Sequence, residues 1–285
     1  FNERGFREDT IAKFQLGYSP SQRDGFTQWA VKSGYKSDYL VKTGLTIENE
    51  GRQYDRFHER VMFPIHNLMG RVIAFGGRIM TNEKKVAKYL NSPESEIYHK
   101  SKILYGIFHA KKAITQYDKC YLVEGYTDVI SLHQAGIENV VASSGTSLTV
   151  EQIRLIRRFT QNITILYDGD PAGIKASFRG IDMVLEEGMN VKVLLFPDNE
   201  DPDSFARKHS SSQVLDFINK NETDFIRFKT KLLLDDARED PIKKAALLSD
   251  IVRSISAIPE SIPRTIFVRE CAKLMDFDEQ VLFLE

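Results

Sequence analysis

The stretch that decides the fold reads CYLVEG, from Cys120 to Gly125. Four apolar residues followed by an acid and a glycine are typical of a short strand buried on both faces. Residues 126–135 then place apolar side chains at helical spacing, and Gly136 ends that helix. The same order of strand and helix recurs along the chain, with strands predicted at residues 140–142, 163–167 and 191–196. This alternation predicts a parallel sheet with helices on both faces.

Acidic residues follow three of these four strands. Glu124 follows the first strand, Asp168 and Asp170 follow the third, and Asp201 and Asp203 lie beyond the fourth. Because ligands bind outside the carboxyl ends of parallel strands, we expect these carboxylates at one edge of the sheet. Carboxylate oxygens are ligands that Mg²⁺ takes in proteins. We also expect Glu124 to be buried, so that it needs a partner or a metal.

Simpler interpretations exist for several of these acids. Asp170 and Asp201 each precede a proline, which is typical of a helix N-cap followed by the first helical residue. Asp128 lies one turn into the first helix and is either an exposed helix residue or a member of the same edge. No glycine-rich dinucleotide or P-loop motif follows the first strand, and no Ser-His-Asp arrangement supports acyl transfer.

Composition excludes several classes of protein. With 42% hydrophobic and 28% charged residues, the chain is too apolar for disorder, and no apolar run reaches the ~18–20 residues of a membrane span. Cys120 and Cys271 are far apart and form no CxxC pair, which excludes a zinc finger within these residues and favours a reducing, cytoplasmic location. The chain begins without a methionine, and we expect it to be a fragment.

Charge divides the chain into unlike parts. Residues 1–120 hold 20 Lys and Arg against 13 Asp and Glu, a net charge of +7, whereas residues 121–209 carry −5 and residues 210–285 carry −3. Chance variation on solvated surfaces is one explanation. The functional explanation is a polyanion on the first part and metal ions on the second.

The flanking parts of the chain have weaker signals. Residues 1–118 mix helices and strands, including two strands at 60–65 and 70–78 around a turn at 67–70. Residues 209–285 show apolar positions at helical spacing and no comparable strand, which predicts a helical bundle, with a break at 258–263 before a final helix. We therefore predict three units: a basic α/β lobe at 1–118, a metal-binding sheet at 119–208 and a helical unit at 209–285.

The motifs at the strand ends resemble a known family. Glu124-Gly125 together with Asp168-x-Asp170 resembles the Toprim domain of DnaG-type primases, topoisomerases, some nucleases and certain recombination proteins. The likeness to bacterial DnaG-type primases extends over roughly residues 1–210, through RG at 4–5, ERVMFPI at 59–65, GGR at 76–78, KYLNSPE at 88–94, HK at 99–100, VEGYTDV at 123–129, SGT at 144–146, YDGDPAG at 167–173 and PDNEDPD at 197–203.

The resemblance implies a fold, an activity and a set of site residues. The fold is α/β, a Toprim-type parallel sheet with an N-terminal mixed lobe and a C-terminal helical bundle. The activity is that of a nucleotidyltransferase, the DNA-directed RNA polymerase core that makes short RNA primers on single-stranded DNA for replication with two or more Mg²⁺ or Mn²⁺ ions. The implied catalytic residues are Glu124, Asp168 and Asp170, and the implied metal ligands are Glu124, Asp168, Asp170, Asp201 and Asp203.

Basic and polar residues complete the implied site. The resemblance assigns the nucleotide to Lys88, Tyr89, Asn91, Lys100, Asp128 and Gly145. It assigns the nucleic acid to Arg4, Arg78 and Lys88. Ordinary surface charge is the alternative for the cations, and simple packing is the alternative for Tyr89.

Partners and rival functions follow from the same comparison. The implied partners are the DNA template, ribonucleoside triphosphates and, through parts of a longer protein, a replicative helicase and a zinc-binding module. The rivals are a Toprim nuclease or topoisomerase, a response-regulator receiver and a non-enzymatic nucleic-acid-binding module. A topoisomerase needs a nucleophilic tyrosine on a further domain, and a receiver is about half this length and pairs two acids after its first strand.

Overall fold

The computed structural model describes residues 1–80, 87–145, 147–168, 171–197, 200–237 and 240–284. In these ranges the chain forms two larger sheets and one short hairpin, surrounded by helices. No helix among the described residues is long and apolar enough to cross a membrane.

The first 91 residues form the N-terminal lobe. Its helices are α1 (Glu8–Phe14), α2 (Gly25–Lys32) and α3 (Ser37–Lys42), and its strands are β1 (Gly17–Ser19), β2 (Thr46–Asn49), β3 (Arg52–Asp55), β4 (Arg60–His66), β5 (Val72–Ile79) and β6 (Tyr89–Asn91). An antiparallel sheet has the order β1-β4-β5-β6, and β2 pairs with β3. The predicted strand pair is confirmed as β4 and β5. Its turn is held by the Asn67 side chain, whose Oδ1 accepts the N–H groups of Met69 and Arg71 at 2.9 and 3.0 Å.

Residues 107–208 alternate helices and strands as the sequence predicts. The elements are α4 (Ile107–Tyr117), β7 (Cys120–Val123), α5 (Tyr126–Gln134), β8 (Val140–Ala142), α6 (Val150–Arg157), β9 (Asn162–Tyr167), α7 (Pro171–Glu186), β10 (Asn190–Leu195) and α8 (Pro202–Lys208). The strands lie in the order β10-β9-β7-β8 and are parallel to one another. The predicted Toprim-type sheet is confirmed.

The remaining residues are helical, with one short exception. The elements are α9 (Ser211–Asn221), β11 (Thr223–Asp224), α10 (Phe225–Ala237), α11 (Pro241–Ser256), α12 (Ser261–Met275) and α13 (Glu279–Leu284). The region was predicted to hold no strand comparable to those of the sheet, and its one described strand, β11, is a two-residue strand that pairs antiparallel with β10 at the edge of the sheet. Two residues are too few to produce a period-2 pattern in the sequence.

The predicted break before the final helix is also corrected. Pro263 lies inside the first turn of α12 rather than between helices, and α13 follows as a further helix. A proline is tolerated in a first turn because the N–H that it lacks has no partner within the helix there.

The two faces of the parallel sheet carry two separate apolar clusters. Cys120 and Leu122 of β7 belong to one cluster, and Tyr121 and Val123 belong to the other. Burial on both faces is the reason why this strand is a continuous apolar run, and each such side chain stabilises the fold by about 1.5–3 kcal/mol. The first cluster also contains Phe225 and residues of α11 and α12, so the C-terminal helices pack against the sheet.

Candidate active site

A cavity of about 630 Å³ opens at the carboxyl ends of β7 and β9. Four acidic side chains line it: Glu124, Asp128, Asp168 and Asp201. We call these four residues the acidic edge. Glu124 and Asp168 reach the cavity because each follows directly on its strand, and Asp201 reaches it as the residue before α8. The structure therefore brings together acids that lie up to 77 positions apart in the sequence.

Glu124 is exposed, and the expectation that it is a buried carboxylate is wrong. Burial ends at Val123, the last residue of β7, because the chain leaves the apolar interior at the carboxyl end of the sheet. The backbone carbonyl of Glu124 accepts the N–H of Ser144 at 3.0 Å, which fixes its position at the rim. Its side chain lines the cavity.

Asp128 is buried, so the interpretation as an exposed helix residue does not hold. Its carboxylate accepts the N–H of Gly125 at 2.9 Å and the N–H of Asp203 at 3.3 Å, and the first of these bonds satisfies the N–H of the N-cap residue of α5. Burial raises the pKa of Asp128 to about 7, and repulsion from Asp168, Asp201 and Asp203 adds to this rise. Desolvation is the larger cause of this rise, and the nearby carboxylates are the smaller one.

Asp201 and Asp203 have different surroundings. Asp201 is the N-cap of α8, as its place before Pro202 predicts, and its Oδ1 accepts the N–H of Ser204 at 2.6 Å. The Asp203 carboxylate is buried, accepts a hydrogen bond from Ser131, and lies 3.4 Å from Arg4 and 3.4 Å from Arg207. Asp203 is thus surrounded by donors and cations, whereas Asp201 lines the cavity.

The residues present fit a divalent metal ion by the chemistry of their donors. The acidic edge offers four carboxylate side chains, and carboxylate oxygens are the donors that Mg²⁺ takes in proteins. Asp170, the other predicted ligand after β9, lies outside the described residues. Among the described ones, no three His, Cys, Asp or Glu side chains already converge on a single ion position.

Further lining of the cavity comes from β6, the last strand of the N-terminal lobe, and from the segment that follows it. Tyr89 and Asn91 of β6 line the cavity, and Lys100 reaches its rim. We call Arg78, Lys88, Tyr89, Asn91 and Lys100 the facing wall. Asn91 joins the two sides, since its Oδ1 accepts the hydroxyl of Tyr126 at 2.7 Å and its Nδ2 donates to the carbonyl of Ser144 at 3.2 Å.

Lys100 and Gly145 meet at the loop after β8. The Lys100 ammonium donates to the carbonyl oxygen of Gly145 at 2.9 Å, and burial lowers the pKa of Lys100 while Glu94 opposes that fall. Gly145 has φ +78°, and a Cβ there would lie 3.5 Å from Asn91 Nδ2. Its left-handed conformation requires glycine and turns the carbonyl toward Lys100.

The remaining predicted cations lie in three settings. The Arg78 guanidinium lies 5.7 Å from the centre of the Tyr89 ring, within the range of a cation–π contact. Lys88 is exposed, and only its backbone takes part in β-pairing, through a bond from Ile79 N–H. Arg4 contacts the buried Asp203 from the N-terminal segment.

Two contributors to the site were not singled out from the sequence. Arg179 of α7 lines the cavity and adds a cation beside the carboxylates. Tyr126 stacks on Phe63 with ring centres 5.0 Å apart, and a Cβ on Gly76 would lie 2.4 Å from its ring. The only sequence signal for this contact is that Gly76 and Tyr126 each belong to one of the quoted motifs, GGR at 76–78 and VEGYTDV at 123–129.

Comparisons with known proteins agree with this architecture. Residues 1–111 match the family model of the DNA primase catalytic core, N-terminal domain, and residues 121–206 match a Toprim-like model. A DNA primase of Halalkalibacterium halodurans is 37% identical over 273 residues, which are 95% of this chain and 45% of that protein. The chain spans about half the length of the curated relatives it matches.

Solved structures extend the likeness to the whole fold. A DNA primase domain from Pseudomonas aeruginosa has a TM-score of 0.87 and 32% identity, covering 100% of this chain and 90% of that one. The DnaG primase catalytic domain bound to single-stranded DNA has a TM-score of 0.85 and 34% identity, covering 98% and 88%. The fold and the acidic edge define a Toprim-type domain joined to a primase-type lobe. The chain belongs to the DnaG-type bacterial DNA primase family.

Proposed function

We propose that this chain is the RNA polymerase core of a bacterial primase, which joins ribonucleotides on a single-stranded DNA template. The observation that carries the proposal is the cavity itself, which is lined by four carboxylates together with Tyr89, Asn91 and the cation Arg179. A related catalytic domain is described as bound to single-stranded DNA. Transfer of a nucleotidyl group uses both kinds of residue. Carboxylates hold the divalent ions that the reaction commonly uses, and cations bind the polyanionic substrate.

The proposed ligands of the metal are Glu124, Asp168, Asp170 and Asp201, with Mg²⁺ or Mn²⁺ as the ion and two or more ions in total. When bound, such ions neutralise phosphate charge and activate the attacking 3′-hydroxyl. Asp203 belongs to the proposed set by resemblance, and its contacts with Ser131, Arg4 and Arg207 support a role in holding the edge in position.

The proposed work of the facing wall is to hold the nucleotide and the template. Lys100 and Arg179 offer point and planar cations toward a triphosphate, Tyr89 offers a ring face, and Arg78 offers a bidentate donor. Asn91 and Gly145 keep the loop after β8 against this wall, so that both sides of the cavity keep one geometry.

The partners of the proposed reaction are a DNA template and ribonucleoside triphosphates, with a replicative helicase and a zinc-binding module as further partners of a longer protein. The proposal includes a cytoplasmic location, which is compatible with Cys120 and Cys271 as buried free thiols.

The test is incorporation of labelled ribonucleotides on a single-stranded template, with and without Mg²⁺. Template-dependent RNA products support the proposal. Cleavage of the DNA strand without incorporation would identify a Toprim nuclease, and binding without either reaction would identify a nucleic-acid-binding module. A template of one repeated base is a useful control, because only the complementary nucleotide should enter the product.

A further inference from the structure

The C-terminal helices hold one lysine entirely inside the protein. Lys229 of α10 is completely buried, and among the described residues it is the only lysine in that position. Two of its partners lie on α11, where its ammonium donates to Asp250 Oδ2 at 3.0 Å and to Ser254 Oγ at 2.6 Å. A third partner lies on α7, where Asp182 Oδ1 is 3.5 Å away. The lysine therefore joins α10 and α11 to a helix that covers the parallel sheet.

Stability alone is a poor explanation of this buried charge. Burial removes the hydration of the ammonium, and an apolar side chain of similar volume is often as stabilising as a buried ion pair or more so. The centre of the Phe178 ring lies 4.9 Å from the ammonium, so an apolar side chain would find an apolar neighbour there. What the charge adds is direction. It fixes Ser254, whose hydroxyl in turn donates to Asp182 Oδ1 at 2.5 Å, so that α7 is held at one carboxylate by two groups.

Helix α7 presents one face to this lysine and a neighbouring face to the cavity. Phe178 and Asp182, four residues apart, contact the lysine. Arg179 and Met183, also four residues apart, line the cavity together with Gly180. At about 3.6 residues per turn, each cavity residue lies roughly 100° around the helix axis from the lysine contact that precedes it. A rotation of α7 about its axis would therefore move Arg179 within the cavity.

We propose that Lys229 is a positioning residue for Arg179: it fixes the rotation of α7 so that the guanidinium faces the triphosphate of the incoming ribonucleotide. The inference rests on the proposed function, because the triphosphate is its substrate. The Arg179 side chain is exposed at the cavity, so the direction in which it leaves α7 decides where its guanidinium can reach. A guanidinium binds two phosphate oxygens at once only in a fixed orientation, which makes its affinity sensitive to that direction.

Variants of these residues should still fold. The side chains of Asp182 and Asp250 are 31% and 38% exposed, so water can solvate them when the lysine is replaced. Phe228, the neighbour of Lys229 on α10, stacks on Tyr167 of β9 with ring centres 6.4 Å apart and keeps this helix against the sheet. Lys229→Met retains a long unbranched side chain in the same space, so it removes the charge and leaves no large cavity.

The first test measures the affinity for fluorescently labelled ATP with Mg²⁺, by anisotropy. Arg179→Ala should weaken binding about 10- to 100-fold, the contribution of a hydrogen bond to a charged group. Lys229→Met should weaken it about 3- to 10-fold, because the guanidinium remains but is less well directed. The double variant should bind no more weakly than Arg179→Ala, since the lysine acts only through the arginine. Additive losses in the double variant, or normal binding by Lys229→Met, would overturn the proposal.

A matched pair of acids separates positioning from stability. Asp182 and Asp250 contact the same ammonium, but only Asp182 lies on α7. Both Asp182→Ala and Asp250→Ala should lower the melting temperature, whereas only Asp182→Ala should weaken ATP binding, again about 3- to 10-fold. Loss of a negative charge would by itself raise the affinity for a polyanion, so a fall identifies the changed placement of Arg179. Equal weakening by both variants, or none by Asp182→Ala, would contradict the role of Lys229.

Binding and synthesis are measured separately, so this proposal and the proposed function can fail separately. The Mg²⁺ concentration for half-maximal RNA synthesis, which reports on the acidic edge, should be the same in Asp182→Ala as in the wild type. A wild-type protein that binds ATP but makes no RNA would refute the polymerase, and weaker binding by Asp182→Ala would still support the role of Lys229. RNA synthesis, together with normal ATP binding by Lys229→Met and Asp182→Ala, would refute that role and keep the polymerase.

Discussion

The acidic edge and the facing wall lie across one cavity but are positioned by different means. Glu124 and Asp168 take their places from the backbone, since each is the residue after a buried parallel strand. Asn91 and Lys100 take theirs from side-chain bonds to another unit, through Tyr126, Ser144 and Gly145. The edge should therefore tolerate neutral substitutions structurally while losing chemistry, whereas the wall should lose geometry when one bond is removed.

The largest expected effect is at Asp168. We predict that Asp168→Asn reduces primer synthesis at least ~100-fold, because the proposed metal loses a charged ligand, while the thermal stability of the metal-free protein is unchanged or raised as like charges separate. The measurements are ribonucleotide incorporation at saturating Mg²⁺ and a melting curve. Asp216→Asn, an exposed acid of α9, is the matched control and should retain activity. Full activity of Asp168→Asn would contradict the assignment.

The second prediction concerns the seam between the two units. His109 of α4 and His133 of α5 pack against Phe14 of α1, and His66 of β4 lies beside His109 with ring centres 5.2 Å apart. Burial lowers the pKa of His109 and of His133 to about 4. Both ring nitrogens of His133 lack a hydrogen-bond partner among the described residues. The neutral rings therefore belong to the folded state.

Acid should loosen this seam. The unfolded chain binds protons on these histidines near pH 6.5, whereas the folded chain binds them only near pH 4, so stability should fall as pH decreases through that window. The expected loss is on the order of 2 kcal/mol for His133 alone. Urea unfolding at pH 7.5, 6 and 5 measures it, and His133→Leu should reduce the slope. A stability that is independent of pH in this window would refute the explanation.

Asp201 allows the cap and the ligand to be separated. Asn retains the capping oxygen and removes the charge, so Asp201→Asn should keep the stability of α8 and raise the Mg²⁺ concentration needed for half-maximal synthesis by about 5- to 10-fold. Asp201→Ala should add a loss of stability of ~1 kcal/mol. A Mg²⁺ titration and a urea curve on both variants test this. If neither variant changes the Mg²⁺ requirement, Asp201 is a cap only.

The same contrast explains what the sequence could and could not predict. The parallel strands and the acids after them were readable, because a strand buried on both faces leaves an uninterrupted apolar run and its end has a fixed place at the sheet edge. The exposure of Glu124 was not readable, since it depends on how the N-terminal lobe leaves the cavity open. The bond from Tyr126 to Asn91 and the two-residue β11 depend on tertiary contacts that produce no periodic pattern.

The weakest expected effects are at the cations of the facing wall. Arg78→Ala and Lys88→Ala should each weaken binding of single-stranded DNA about two- to fivefold and flatten the slope of log affinity against log salt by up to about 0.7, because each removes at most one phosphate contact. Arg78→Ala should have the larger effect, since its guanidinium also lies against the Tyr89 ring. Fluorescence anisotropy across a salt series gives both quantities.

Arg4→Ala and the lysines of α11 decide whether this effect belongs to the wall. Arg4 is half-exposed and contacts the buried Asp203, so Arg4→Ala should weaken DNA binding by one contact at most and should also disturb the acidic edge, which a raised Mg²⁺ requirement would reveal. Lys243 and Lys244 lie in α11, and replacing either with alanine should leave the DNA affinity and its salt dependence unchanged. Equal effects from these lysines would mean that the DNA follows net charge alone. If Arg78→Ala and Lys88→Ala were silent, the template path would have to lie elsewhere on the lobe.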